Sequence, residues 1–183
     1  MAHEEQQLFC MSVRQQFPQY FSNRKVLDCG SLDINGNNRI LFDHCLYTGI
    51  DVGLGKNVNI VCPTHEFMDK EGFDVIISTE CFEHVMYYEL SLQRIVYLLR
   101  PGGLFLFTCA TTGRQPHGIT TSSPKDSPFT TEIPEWQSYY KNLTEADIRH
   151  AIKIDKIFEN YSFSINKSHC DLQFWGIKRE YYL

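Results

Sequence analysis

Residues Val26–Asn37, VLDCGSLDINGN, constrain the fold of this chain more than any other stretch. Apolar residues after Lys25 run into Asp28, and the chain then turns through Gly30, Ser31, Asp33, Asn35 and Gly36. A buried strand breaking into a glycine-containing turn ahead of a helix is how open α/β sheets build a nucleotide-sized pocket at the carboxyl ends of their strands. The next apolar run, Leu46–Ile50, ends at Asp51. That acid lies about as far past the turn as the ~20 residues expected of one that grips ribose hydroxyls.

The rest of the chain repeats the alternation. Strands are predicted over Val58–Cys62, Phe73–Ser78 and Leu104–Ala110, and FDVIIS is an apolar strand of the kind buried on both faces of a parallel sheet. Helices are predicted over Asn38–His44 and Tyr87–Leu99, the second closed by Arg100-Pro101-Gly102-Gly103. Strands separated by helical stretches imply right-handed crossovers and a mainly parallel sheet. An amphipathic helix over Glu4–Gln16, stopped by Pro18, is expected across the edge of the domain. Near the end, Thr144 and Asp147 have capping-box spacing for a helix through Ile154. Tyr161–Lys167 and Leu172–Arg179 then read as an antiparallel hairpin.

Residues 1–183 fit one domain, with an N-terminal helical segment over 1–22. Thr111–Asn142 breaks the rhythm: it holds four of the seven prolines and is too long for a plain connector. Its Phe129, Trp136, Tyr139 and Tyr140 argue against disorder, so a lid or substrate loop over 111–142 is expected. No apolar run approaches the ~20 residues of a membrane span. The acidic start MAHEEQQLFC lacks the pattern of a secretion signal, which predicts a cytoplasmic protein. The seven cysteines show no metal-ligand spacing and are expected to be reduced, with no metal site. A net charge of −5 without a basic stripe disfavours nucleic acid as a partner.

With these marks in order, the chain resembles the class I methyltransferases that use S-adenosylmethionine. The resemblance covers about Lys25 to Arg179 and rests on VLDCGS, YTGID, FDVIISTECFEHV and LLRPGGLFLFT. It implies a Rossmann-like doubly wound sheet, mainly parallel, of seven strands in the order 3-2-1-4-5-7-6 with an antiparallel C-terminal hairpin. Many members carry Gly-x-Gly-x-Gly after the first strand; here the run is Gly30-Ser31-Leu32-Asp33-Ile34-Asn35-Gly36. A GSLDxNG variant of this kind, with a TTGR-x-x-HG segment matched by Thr111–Gly118, resembles bacterial-type members of the family.

The resemblance implies S-adenosylmethionine as cofactor, S-adenosylhomocysteine as product and a small-molecule acceptor. Asp28, Gly30, Ser31, Asn35, Asp51, Val52, His65, Ser78 and Thr79 are the implied cofactor contacts. Asp51 has two oxygens for the ribose diol, and Gly30 offers close backbone approach. Asp28 stands near the cofactor's amine or caps loop N–H groups, and His65 lies beside adenine or on the surface. His117, His84 and Glu80 are the catalytic candidates if the acceptor needs a base, although a Glu-His pair also serves to order a helix start. Arg114, His117, Trp136, Tyr139 and Tyr140 are the substrate-side candidates, with pinning of the loop as the alternative use of the aromatics. Two other readings compete: a module that binds the cofactor or another nucleotide without catalysing, and a nicotinamide oxidoreductase, which fits the Arg-Pro-Gly-Gly turn and the hairpin poorly.

Overall fold

Val75, Ile77, Leu104 and Leu106 belong to one hydrophobic cluster, while Ile76, Phe105 and Phe107 belong to another. That alternation is the period of two of strands buried on both faces, and it makes two cores on one sheet. In the computed structural model, which describes residues 4–181, the strands are Lys25–Cys29 (β1), Leu46–Asp51 (β2), Ile60–Val61 (β3), Phe73–Thr79 (β4), Leu99–Ala110 (β5), Phe158–Asn166 (β6) and Asp171–Lys178 (β7). They form one sheet in the order β3-β2-β1-β4-β5-β7-β6, the order expected. Strands β1 to β5 pair in parallel, whereas β7 runs antiparallel to both β5 and β6. The helices are Glu4–Gln16 (α1), Tyr88–Leu98 (α2), Glu145–Ala151 (α3) and the single turn Ile154–Ile157 (α4).

The helices cover opposite faces. Leu92, Ile95 and Leu98 of α2 and Ile148 of α3 share the cluster built on Leu27, Ile76 and Phe105. Cys10 and Val13 of α1 pack with Phe17, Phe21, Val26 and Val75 on the other face. So α1 seals a sheet face rather than crossing the domain edge, because Cys10 and Val13 are its apolar stripe and both are about 1% exposed. The part of the expected 1–22 segment before Glu4 lies outside the described residues. The capping box forms as expected: Thr144 accepts from Asp147 N–H while the Asp147 carboxylate accepts from Thr144 N–H. The helix it opens stops at Ala151, earlier than Ile154.

Three further elements differ from the sequence reading for physical reasons. Only Asn38–Leu41 is helical after the first turn, and as a 3₁₀ turn. Phe42 stacks on Phe21 at 4.9 Å, and Asp43 N–H donates to Phe21 C=O, which draws the chain out straight. The third strand shortens to Ile60–Val61 at the sheet edge. Arg100-Pro101-Gly102-Gly103 lies within β5 as an irregularity, since Phe73 pairs with Leu99 but Val75 with Leu104. Gly102 at φ +69 makes that bulge possible, and its carbonyl accepts from Tyr20 O–H at 2.6 Å. All seven cysteines are free thiols. Among the described residues no helix is long and apolar enough to cross a membrane.

Candidate active site

The carboxyl ends of β1, β2 and β4 open into one cleft, at the point where strand order reverses between β1 and β4. The turn after β1 lies over the end of β2, because Gly30 N–H and Ser31 N–H both donate to Ile50 C=O, at 2.9 and 3.0 Å. Gly30 has φ +78, and a Cβ there would fall 2.3 Å from Cys81 Sγ. Its glycine is therefore required by the left-handed backbone and by the facing cysteine. Asp33 closes the loop: it accepts from Gly36 N–H and Asn37 Nδ2, each at 2.8 Å, and pairs with Lys56. Those bonds hold its carboxyl below the usual range.

Two carboxylates stand at the strand ends. Asp51 Oδ1 accepts from Val52 N–H at 2.8 Å and Oδ2 from Leu32 N–H at 3.1 Å. Burial pushes its pKa up, and these backbone donors oppose that. Asp28 is almost fully buried; Oδ2 accepts from Tyr47 O–H at 2.5 Å and Oδ1 from Asn38 Nδ2 at 3.4 Å. Burial raises its pKa to about 6, with the two hydrogen bonds pulling the other way.

Past β4, Thr79 accepts from Asn38 Nδ2 at 3.0 Å. Glu80 adopts φ +50, a left-handed conformation rare for a side-chain-bearing residue, and Oε1 accepts from Thr108 O–H at 2.8 Å. Asp28, Asp51, Glu80 and Asp126 all line the cleft, and no lysine or arginine among the described residues does. Leu32, Val52, Cys62, Phe129 and Trp136 supply apolar surface. The cleft thus offers negative charge and an apolar wall, suited to a ligand with cationic groups and an aromatic base.

The expected site residues divide into two groups. Asp28, Gly30, Ser31, Asn35, Asp51, Val52, Thr79, Glu80, His84 and Trp136 line the cleft. Ser78 instead donates to Cys29 C=O at 2.8 Å, tying β4 to β1 inside the sheet. His65 turns away to pack on Tyr87, with ring centroids 5.1 Å apart, while its neighbour Thr64 lines the cleft. Arg114 is engaged within the protein: its Nη1 lies 3.0 Å from Asp171 Oδ1 and bonds His169 C=O, and Nη2 is 3.7 Å from Glu80 Oε2. Tyr139 and Tyr140 lie outside the lining, Tyr140 packing on His84 at 5.5 Å and His117 at 5.1 Å.

His84 and His117 adjoin with ring centroids 5.0 Å apart. Burial keeps both neutral, lowering His84 to about 3 and His117 below its ordinary value. Neighbouring Glu83 is fully buried, and burial together with the Glu80 charge raises it to about 8.

The sequence reading missed Leu32, Asn38, Thr64 and Phe129, and also Gln6 and Gln7 of α1. Phe129 belongs to the Thr111–Asn142 segment, whose stretch from Asp126 to Thr130 borders the cleft. That segment is tied down by Lys141 N–H to Glu83 C=O and Leu143 N–H to Ala110 C=O, both at 2.9 Å.

Residues 42–107 match the family model described as methyltransferase domain. No curated protein matches the chain in sequence. Among solved structures it is similar to the 1,6-didemethyltoxoflavin-N1-methyltransferase of Burkholderia thailandensis, solved with bound 1,6-didemethyltoxoflavin and S-adenosylhomocysteine. That likeness has a TM-score of 0.60 at 16% identity and covers 98% of this chain and 92% of that one. The N-methyltransferase NodS of Bradyrhizobium japonicum matches with a TM-score of 0.57 at 15% identity over 94% of this chain and 98% of that one. A 16S rRNA N2-methyltransferase of T. thermophilus matches with a TM-score of 0.59 at 13% identity, over 98% of this chain and 44% of that one. At these identities the structures speak to the fold, and the family model speaks to the sequence. Residues 42–107 thus carry the sequence signature of a methyltransferase domain, and the chain as a whole shares the fold of these methyltransferase structures.

Proposed function

We propose that this chain transfers the methyl group of S-adenosylmethionine to a small-molecule acceptor lodged between the strand ends and the Asp126–Thr130 stretch. The observation that carries the reading is the charge of the cleft: four carboxylates and no lysine or arginine among its described lining residues. A dinucleotide brings a pyrophosphate, which such a wall repels. S-adenosylmethionine has no phosphate and brings a sulfonium and an ammonium, which it attracts.

Asp51, its oxygens already oriented by Leu32 and Val52 N–H groups, has lone pairs left for a ribose diol. Val52, Cys62 and Phe129 give an adenine ring apolar surface. Asp28, oriented by Tyr47 and Asn38, faces the amino-acid end.

The bound cofactor supplies an electrophilic methyl on a good leaving group, so the protein's work is alignment and exclusion of water. Glu80 and His84 border the cleft beyond β4, where they can orient a donor hydrogen of the acceptor. His84, kept neutral by burial, can accept such a hydrogen bond at neutral pH. A cleft bordered by Asp126–Thr130 on one side and Gln6 and Gln7 on another favours a compact acceptor over a nucleic-acid strand.

Calorimetry with S-adenosylmethionine, S-adenosylhomocysteine and NAD, followed by a screen for S-adenosylhomocysteine release, tests this. Binding of both sulfur compounds but not NAD, and turnover with small molecules but not RNA, is expected. Absence of binding by either sulfur compound would overturn the reading, and binding without turnover across broad acceptor pools would favour the non-catalytic module.

A further inference from the structure

Behind the His84 wall of the cleft, Glu83, His84 and His117 turn their donor atoms toward a common point, all within 4.8 Å of one another. Glu83 is 0% exposed, and no side chain bonds either carboxylate oxygen, which only the Glu83 and Ala110 backbone N–H groups approach. His84 is 4% exposed with neither ring nitrogen partnered, and His117 Nε2 is buried and unpartnered as well. Tyr140, whose hydroxyl is also unpartnered, meets both imidazoles edge to face. Buried polar atoms are nearly always satisfied, and each one left bare costs about 1–3 kcal/mol. Several converging on one point without bonding each other call for a shared partner.

We propose that Glu83, His84 and His117 bind one divalent cation of the zinc class. Two imidazole nitrogens and a carboxylate suit zinc or a neighbouring transition ion better than magnesium or calcium, which prefer all-oxygen sets. Donors around a four-coordinate ion at ~2.0–2.2 Å stand roughly 3.4 Å apart, so small side-chain rotations close the set. The backbone leaves room for this: Gly118, at φ +62, carries no Cβ, and one there would lie 2.6 Å from His84 Cε1. No cysteine takes part among the described residues, which is why cysteine spacing gave no sign of the site.

Three protein ligands leave the ion an open position. His84 lines the cleft, so that position is available to an oxygen or nitrogen of an acceptor lodged there. This consequence rests on the methyltransferase reading, and with the ion in place the single lone pair of neutral His84 belongs to the ion, leaving Glu80 to orient the acceptor's donor hydrogen; the binding of the ion does not rest on it.

The test is titration of chelator-stripped protein with Co²⁺, followed by visible absorption, and displacement by Zn²⁺. One Co²⁺ per chain is expected, with ligand-field bands and no thiolate charge-transfer band. His117→Ala, in a half-buried loop position, should weaken binding at least about tenfold, the lower end of the loss seen even for groups that only support a ligand. Glu83→Gln should do the same, and circular dichroism reports whether each variant is folded. Absence of stoichiometric binding, a thiolate band, or unchanged affinity in folded His117→Ala would overturn the proposal. Calorimetry with S-adenosylhomocysteine on the same samples separates the two readings: nucleoside binding without Co²⁺ binding sinks the metal site alone, and the converse sinks the cofactor reading alone.

Discussion

Phe129 occupies the space a side chain on Gly53 would need: a Cβ built on that glycine would fall 2.1 Å from Phe129 Cγ. Gly53 follows Asp51 and Val52, so the Thr111–Asn142 segment reaches back across the sheet to the end of β2. If its ring covers the adenine, Phe129→Ala should weaken S-adenosylhomocysteine binding by about 0.5–1.5 kcal/mol, roughly twofold to tenfold. Gly53→Val should displace the ring and have at least that effect. Calorimetry on both variants checks this, and wild-type affinity in Phe129→Ala would show that the segment does not roof the base.

Asp51 offers a second test of the cofactor's placement. Its carboxylate already accepts from Leu32 and Val52 N–H groups, which fixes its rotamer before any ligand arrives. Asp51→Ala should cost cofactor binding about 1.5–3 kcal/mol, the range for a lost hydrogen bond to a charged group. The turn after β1 should loosen as well, since Leu32 N–H loses its acceptor. Isothermal calorimetry beside a melting curve tells lost contact from lost fold, and unchanged affinity in a folded variant would place the ribose elsewhere.

The sheet was legible because its signals are local and agree with one another. The apolar core of FDVIIS, an acid ending β2 and a terminal hairpin marked the strands, the resemblance implied their order, and the Thr144–Asp147 box placed a helix start to the residue. What escaped depended on distant partners. Asn38–His44 has the composition of a helix, but Phe42 gains more by stacking on Phe21. Arg114 looked available to a ligand because nothing near it in sequence reveals Asp171, which arrives from β7. Glu83 and His117 reach one point through a buried turn and a long loop, a meeting that no spacing rule encodes.

Arg114 is therefore predicted to matter for stability first. It lies between Asp171, fully buried, and Glu80, nearly so. Hydrogen bonds to charged groups contribute about 1.5–3 kcal/mol, so Arg114→Ala should destabilise by that order. Arg114→Ala combined with Asp171→Asn should cost less than the sum of the two single changes, because the pair acts as a unit. Urea unfolding of the three variants measures this. If Arg114→Ala keeps wild-type stability but loses acceptor affinity, the residue serves the substrate after all.

Asp28 ties stability to pH through its burial. Its pKa is about 6 in the folded chain against an ordinary value of 3.8, so between these values the folded state binds more protons than the unfolded one. Stability from this group is complete below pH ~4 and is lost as pH rises through ~6, with a slope of at most about 1.4 kcal/mol per pH unit. Asp28→Asn should remove that slope, so the stability difference between wild type and variant should change across the window and level off above it. Tyr47→Phe should widen the window upward, since the Tyr47 hydrogen bond opposes the rise. Cofactor binding should run the other way. An ionised Asp28 attracts the ammonium of S-adenosylmethionine, so affinity should fall as pH drops below about 6, and in Asp28→Asn it should be lower and flat across the same range. Calorimetric titrations at a series of pH values test both, and a wild-type binding curve that stays level through the window would remove Asp28 from the amino-acid end of the cofactor.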